Sequence, residues 1–277
     1  MSQPTPSVTH RPVIALMTDF GVGDGDVGVM KGVIAGLSPD THIIDITHAV
    51  APQNIPSAAW ILAASYRYFP KGTVFVCVID PGVGSSRGAI AVHAGDWYFV
   101  GPDNGLFSYV YAEQHVHQAV ALTNAAYHLP QVSSTFHGRD IFAPAGAHLA
   151  RGVALHELGP ALALDTLVRL ESATAIRHGA RIEGHILHVD NFGNLITNIP
   201  LSLVPDVFSS AAVKVVFPSG ATLERRRRFF ADGPDDGLPF IYGDSSGYIG
   251  IAVRNGNAAT TLGVGLGTAM TFAITEK

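Results

Sequence analysis

The chain has 277 residues, of which 47% are hydrophobic and only 14% charged, with a formal net charge of -5. That length supports a sizeable core and one or two domains, and the composition excludes extended disorder. The acidic balance argues against nucleic acid as a main partner, since phosphate binding needs a basic face, and the single cysteine, Cys77, excludes an intramolecular disulfide framework.

No apolar run reaches spanning length and no signal-peptide pattern opens the chain, so the sequence reads as a cytoplasmic protein with no membrane contact and a flexible leader at residues 1–11. Residues 12–170 alternate strand-like and helix-like stretches, the pattern of a doubly wound α/β N-terminal domain. Strands are expected at 13–17, 42–45, 73–79, 89–92 with 97–100, and 119–122. Helices fit between them. The stretch 27–37 puts Val27, Met30, Val33, Ile34 and Leu37 on one face, 57–68 does the same for Ala58, Ile61, Leu62 and Ser65, and 140–151 carries Pro144 in or near its first turn. The run TVFVCVI at 73–79 is apolar and β-branched without alternation, as in a strand buried on both faces, and Cys77 within it reads as a small core residue. After residue 170 the texture changes. Short β-branched segments at 181–189, 211–217, 248–253 and 269–275, separated by Gly, Asn, Asp and Pro, predict a smaller all-β, barrel-like C-terminal domain over 171–277, with 152–178 as the connection. The arginine run 225–228 reads as a solvated stretch ahead of Asp232, Asp235 and Asp236.

Five loops carry candidate chemistry. Asp80 stands where the buried strand ends, followed by Pro81, Gly82 and Gly84 and then Arg87, which is an active-site edge or, equally, a plain strand-turn with a solvated carboxylate. The loop after the first strand holds Asp19, Asp24 and Asp26 among glycines. It lacks the spacing of a dinucleotide loop, and its carboxylates suit hydroxyls or an ammonium group better than a pyrophosphate, with helix capping by Asp24 or Asp26 as the plain alternative. In the stretch 133–144, His137 lies on a glycine-containing turn where it can face a ligand, Asp140 can cap the following helix, and Arg139 can pair with a carboxylate. His42, His93, His115, His117 and His188 read as structural. In the second domain, Asp190, Asn194 and Phe192 could read and stack a purine or simply form a hairpin turn, and Ser245 and Ser246 precede a glycine where they could hold an amino or carboxylate group. No metal-site spacing and no serine-hydrolase elbow is present.

Taken together, MTDFG (17–21), VIDPGVG (78–84) with Arg87, GPDNGL (101–106), TFHGRDIFAP (135–144) and DNFGNLITN (190–198) resemble the S-adenosylmethionine hydrolase family, the SAM hydroxide adenosyltransferases, over residues 13 to about 273. That family is similar to the fluorinases and chlorinases. The resemblance implies an α/β domain followed by a β-rich domain, and a homotrimer with sites between subunits. It also implies attack of water or hydroxide at the ribose 5′ carbon of S-adenosylmethionine, giving adenosine and L-methionine, with no cofactor. Asp80, Arg87 and His137 would be catalytic. Asp19 would grip the ribose hydroxyls, Asp24, Asp190, Ser245 and Ser246 would hold the methionine ends, and Phe192 and Asn194 would take adenine. The halogenases carry Tyr at the positions of Asp80 and His137, and the fluorinase has Trp and Arg at Gln53 and Ser246. Halide-dependent displacement on the same substrate and a non-catalytic adenosine or S-adenosylmethionine binding module stand as alternatives.

Overall fold

The computed structural model describes residues 11–171, 175–205, 207–208 and 212–275. The expected leader lies outside the described residues except for Arg11, as does Ala211 at the head of one expected strand. The chain divides into two compact units after Leu170.

The first unit contains β1 (Val13–Thr18), α1 (Asp26–Leu37), β2 (His42–Thr47), α2 (Ile55–Ser65), β3 (Val74–Val78), β4 (Ala89–Ala94), β5 (Trp97–Pro102), α3 (Ser108–Glu113), β6 (Val116–Ala121) and α4 (Ala143–Ala150). Its sheet has the order β2-β1-β3-β5-β4-β6. Strands β2, β1, β3 and β5 pair in parallel, and β4 runs antiparallel to both β5 and β6. The sheet is therefore mixed, because β4 and β5 close a hairpin through Gly95 and Asp96, too short a link for a parallel crossover.

The absence of alternation in β1 and β3 follows from helices on both faces. Ala15, Met17, Phe75 and Cys77 pack with Ala58 and Leu62 of α2 and Val110 of α3, whereas Ile14, Leu16, Val74, Val76 and Val78 pack with Met30 and Ile34 of α1 and Ala143 and Ala147 of α4. Period-two side-chain direction thus delivers each strand's apolar residues to two separate cores. Three local expectations are corrected. Neither Asp24 nor Asp26 caps α1, whose N-cap is Gly25 without a side-chain bond, and Asp26 occupies the first turn, where its charge complements the helix dipole. The expected helix at 140–151 opens instead with a π-helical turn, Gly138–Phe142, before α4 begins at Ala143 with Pro144 in its first turn. Asp140 is buried inside that turn and caps no helix.

The second unit contains β7 (Ile176–His178), β8 (Arg181–Val189), β9 (Leu195–Pro200), β10 (Ala212–Val216), β11 (Thr222–Leu223), β12 (Pro239–Gly243), β13 (Tyr248–Val253), α5 (Ala258–Leu262) and β14 (Ala269–Thr275). All its strand pairs are antiparallel, in the order β11-β10-β14-β8-β9-β13-β12, with β7 added on β8. A bridge from Arg226 to Ile241 brings the two ends of that order together, so the sheet is a nearly closed barrel. Ile182, Ile186, Leu195, Val215, Ile241, Ile251 and Phe272 fill it. The arginine run is not a solvated stretch throughout. Arg227 is only 3% exposed, donates to the Pro234 carbonyl and lies 4.5 Å over the Phe240 ring, so it organises the loop before β12.

Candidate active site

β1 and β3 are parallel neighbours, so the residues after their last rungs, Asp19 and Asp80, emerge at the same C-terminal edge of the sheet. The turn after β3 is compact. Val83 N–H donates to the Asp80 carbonyl at 3.2 Å and Ser85 N–H to the Gly82 carbonyl at 3.0 Å. Gly84 makes this possible with φ +76°, and a Cβ there would sit 2.2 Å from the Ser134 carbonyl oxygen.

Folding back from this turn, Arg87 donates from Nε to Asp80 Oδ1 at 2.9 Å and Oδ2 at 3.0 Å, and from Nη2 to Asp80 Oδ2. The pair is almost sealed from solvent, at 10% and 4% side-chain exposure. Phe142 lies beneath the guanidinium, 5.2 Å from ring centre to Cζ. Arg87 Nη2 also lies 2.9 Å from His137 Nδ1. A guanidinium only donates, so His137 Nδ1 accepts, and the neutral imidazole carries its proton on Nε2. Burial and the adjacent Arg87 charge pull the His137 pKa below the ordinary imidazole value, against smaller upward pulls from Asp80, Asp140 and the Ser133 backbone. His137 itself stands at the mouth of the π-helical turn. Asp140 fixes that turn by accepting from Ser133 N–H at 2.8 Å and from Arg139 Nε at 2.6 Å. Burial raises the Asp140 pKa, but the hydrogen bonds from Arg139 and Ser133 outweigh it and the net shift is downward.

Asp80 and His137 line one cleft of about 160 Å³ together with Asp19, Phe20, Gln53, Thr135 and Phe136. Asp19 commits Oδ2 to the Gln53 N–H at 2.7 Å, and Gln53 is held at φ +63°, an uncommon conformation for a residue with a side chain. Behind this loop Thr18 Oγ1 lies 2.9 Å from His48 Nδ1, His48 Nε2 is 3.0 Å from Asp45, and Asp45 takes Lys31 Nζ at 2.6 Å. Asp24 is exposed ahead of α1 and is not among the residues lining the cleft.

The remaining candidates belong to the second unit. Asp190 accepts from the Phe192 and Asn194 amides at 2.8 Å each and from Asn194 Nδ2 at 2.8 Å, so Asp190 and Asn194 pair with each other in the turn between β8 and β9. Phe192 is left 75% exposed at the tip. Ser245 and Ser246 form the turn between β12 and β13, where Ser246 N–H donates to Asp244 Oδ1 at 2.7 Å. Asp244 was not singled out in the sequence. Its pKa is raised by burial and by the neighbouring Asp190 charge, against the hydrogen bonds from Ser246 and Tyr248, so the two turns share an acidic face. The role of Gln53 toward Asp19 was likewise invisible, since it is a main-chain contact across 34 residues. Among the described residues, no group of three or more His, Cys, Asp or Glu is placed to hold a metal ion, and no helix is long and apolar enough to cross a membrane.

Fold and site together define a two-unit α/β and β-barrel protein with a carboxylate, a guanidinium and a neutral imidazole joined at a sheet edge. The chain matches the SAM hydroxide adenosyltransferase N-terminal domain over residues 14–159 and the C-terminal domain of the same name over 184–271. It is 40% identical over 258 residues to the (R)-S-adenosyl-L-methionine hydrolase of Salinispora tropica, covering 91% of this chain and 94% of that one. A fluorinase from an Actinoplanes species is 28% identical over 270 residues, covering 87% and 91%. A crystal structure of an uncharacterized conserved protein from Thermotoga maritima superposes with a TM-score of 0.86 at 36% identity, covering 94% of this chain and 99% of that one. The chain belongs to the SAM hydroxide adenosyltransferase family.

Proposed function

We propose that the protein hydrolyses S-adenosyl-L-methionine to adenosine and L-methionine. The observation that carries this reading is the joined Asp80, Arg87 and His137 set in the cleft edge. Sulfonium is already a good leaving group, so the task is to hold one water in line with the C5′–S bond and keep other solvent away. Asp80 accepts one hydrogen of that water. As oxygen bonds to C5′, the C5′–S bond breaks, its electron pair stays on sulfur as the methionine thioether, and the sulfonium charge is lost. The proton released passes to the Asp80 carboxylate that already accepts it and from there to solvent, while Arg87 holds that carboxylate in place and neutral His137, accepting from Arg87 through Nδ1, offers its Nε2–H to orient the water.

Substrate roles follow from the resemblance. Asp19 grips the ribose hydroxyls with the capacity left beyond its bond from Gln53. The exposed face of Phe192 stacks adenine beside Asn194, and Asp24, Asp190, Ser245 and Ser246 hold the methionine ends. An anionic Asp80 in the cleft disfavours a halide nucleophile. No cofactor enters the reaction. A cytoplasmic homotrimer with sites shared between subunits belongs to the same proposal, supported by Val22, Ile44 and Val132, apolar side chains left exposed on the first unit. Sedimentation should give three times the chain mass.

Chromatography of the purified protein incubated with S-adenosylmethionine is the deciding experiment. Adenosine and methionine should appear in equal amounts, independent of chloride, and fall by roughly 10²-fold or more in Asp80→Asn, on the scale of a lost acid–base group. Ligand binding without product would make the protein a binding module. Product formed only with halide would make it a halogenase.

A further inference from the structure

The GPDNGL stretch matches the family pattern but has no role in the chemistry above. In the structure it ends β5, and its polar pair reaches the loop that carries Asp80 and Arg87 from both sides. The ladder between β3 and β5 stops at Val76 opposite Val100, so the buried residue Ile79 lies beyond it. Its carbonyl still needs a donor. Asn104 supplies one, with Nδ2 to the Ile79 oxygen at 2.9 Å. Leu106 N–H donates to Asn104 Oδ1 at 3.2 Å, which fixes the amide so that its NH₂ faces Ile79. At the other end of the loop the Asp103 N–H donates to the Gly88 carbonyl at 2.8 Å, one rung beyond the Ala89–Pro102 pair of the hairpin. The Asp103 side chain is anchored in turn, accepting from the Val168 N–H at 3.0 Å.

We propose that Asp103 and Asn104 are positioning residues that clamp the residues flanking Asp80 and Arg87, and so set the geometry of the catalytic pair. The bonds within the intervening turn are local ones between Asp80 and Val83, Gly82 and Ser85, and Ser85 and Arg87. They give the turn its shape but do not fix its ends to the sheet. Two adjacent residues on one turn do that for both ends at once. The clamp acts on the loop that holds the nucleophile and not on the loops assigned to substrate, so its loss should reach turnover rather than affinity.

The kinetic arm rests on the hydrolase reading, and the exchange arm does not. Asn104→Ala should lower kcat about tenfold or more with KM within about twofold, since small misplacements of reacting groups are costly. Amide hydrogen exchange across residues 79–88 should speed up in the same variant. Ile186→Val, a core change in the other unit chosen for a comparable loss of melting temperature, should leave kcat and that exchange unchanged. Faster exchange with kcat retained would overturn the positioning role, and so would a kcat loss without faster exchange or a change confined to KM. If the wild-type protein fails to turn over S-adenosylmethionine, the hydrolase reading falls, and unchanged exchange in Asn104→Ala would separately overturn the clamp.

Discussion

At the scale of single residues, the assignment of Nδ1 on His137 as an acceptor has a measurable result. The imidazole must be neutral for Nδ1 to accept from Arg87, and burial together with Arg87 keeps its pKa below the usual value of about 6.5. The kcat/KM profile should therefore hold level through neutral pH and fall only on the acid side of that value. Asn at position 137 should remove the limb and lower the plateau. Replacing Arg87 by Met removes the charge that depresses the imidazole and strands the nearly buried Asp80 carboxylate. Loss of one partner from such a pair costs about 3–5 kcal/mol of stability, readable by chemical denaturation. Phe192 is the opposite case. At 75% exposure it packs too little to support the fold, so Phe192→Ala should raise KM by about tenfold while leaving the melting temperature within a degree or two.

At the scale of elements, the turn after β3 depends on Gly84. An alanine there meets both a positive φ, costing roughly 1–2 kcal/mol for a side-chain-bearing residue, and the Ser134 main-chain oxygen, which cannot rotate away. Gly84→Ala should lower both the melting temperature and kcat, because relieving the clash displaces the loop that carries Asp80 and Arg87. Equal kcat in the variant would mean that the two loops are not held as a unit. This loop was legible in the sequence because β3 is buried on both faces and its boundary is marked by Pro and Gly. The antiparallel course of β4 was not drawn from it, although the few residues between the expected strands 89–92 and 97–100 leave no room for a parallel crossover. β9, by contrast, was hidden. Its Thr197 and Asn198 look like loop residues, yet they are buried and bonded to the Ile249 carbonyl and the His185 amide. The π-helical turn at 138–142 and the buried Arg227 depend on specific side-chain contacts within their own loops, Asp140 with Ser133 and Arg139, and Arg227 with Pro234 and Phe240, which periodicity does not reveal. Asp80, Arg87 and His137 could be found as loop residues, but their contact across 50 positions is a product of the fold alone.

At the scale of the whole molecule, acidity should act through the histidines before the carboxylates. His93, His128, His137, His148, His185 and His188 all have pKa values lowered first by burial, four in the first unit and two in the second. Unfolded imidazoles titrate near 6.5, so between the folded values and 6.5 the unfolded state binds more protons. Stability then rises with pH across that window and levels off above it. Asp45, Asp140 and Asp236, whose pKa values are lowered, add a loss of the same sign only below about pH 4. Asp103 and Asp244, both raised, act in the opposite sense between about 4 and their folded values. The histidine effect therefore dominates from about pH 6.5 downward until the carboxylates begin to titrate. Thermal melts should be flat from pH 8 to 7 and shift to lower temperature as pH falls through 6. If the two units melt separately, both transitions should move, because each holds histidines that must become charged on unfolding. A melting temperature that stays constant or rises down to pH 5 would show that these imidazoles are solvated in the folded protein, and would remove the basis for a neutral His137 as well.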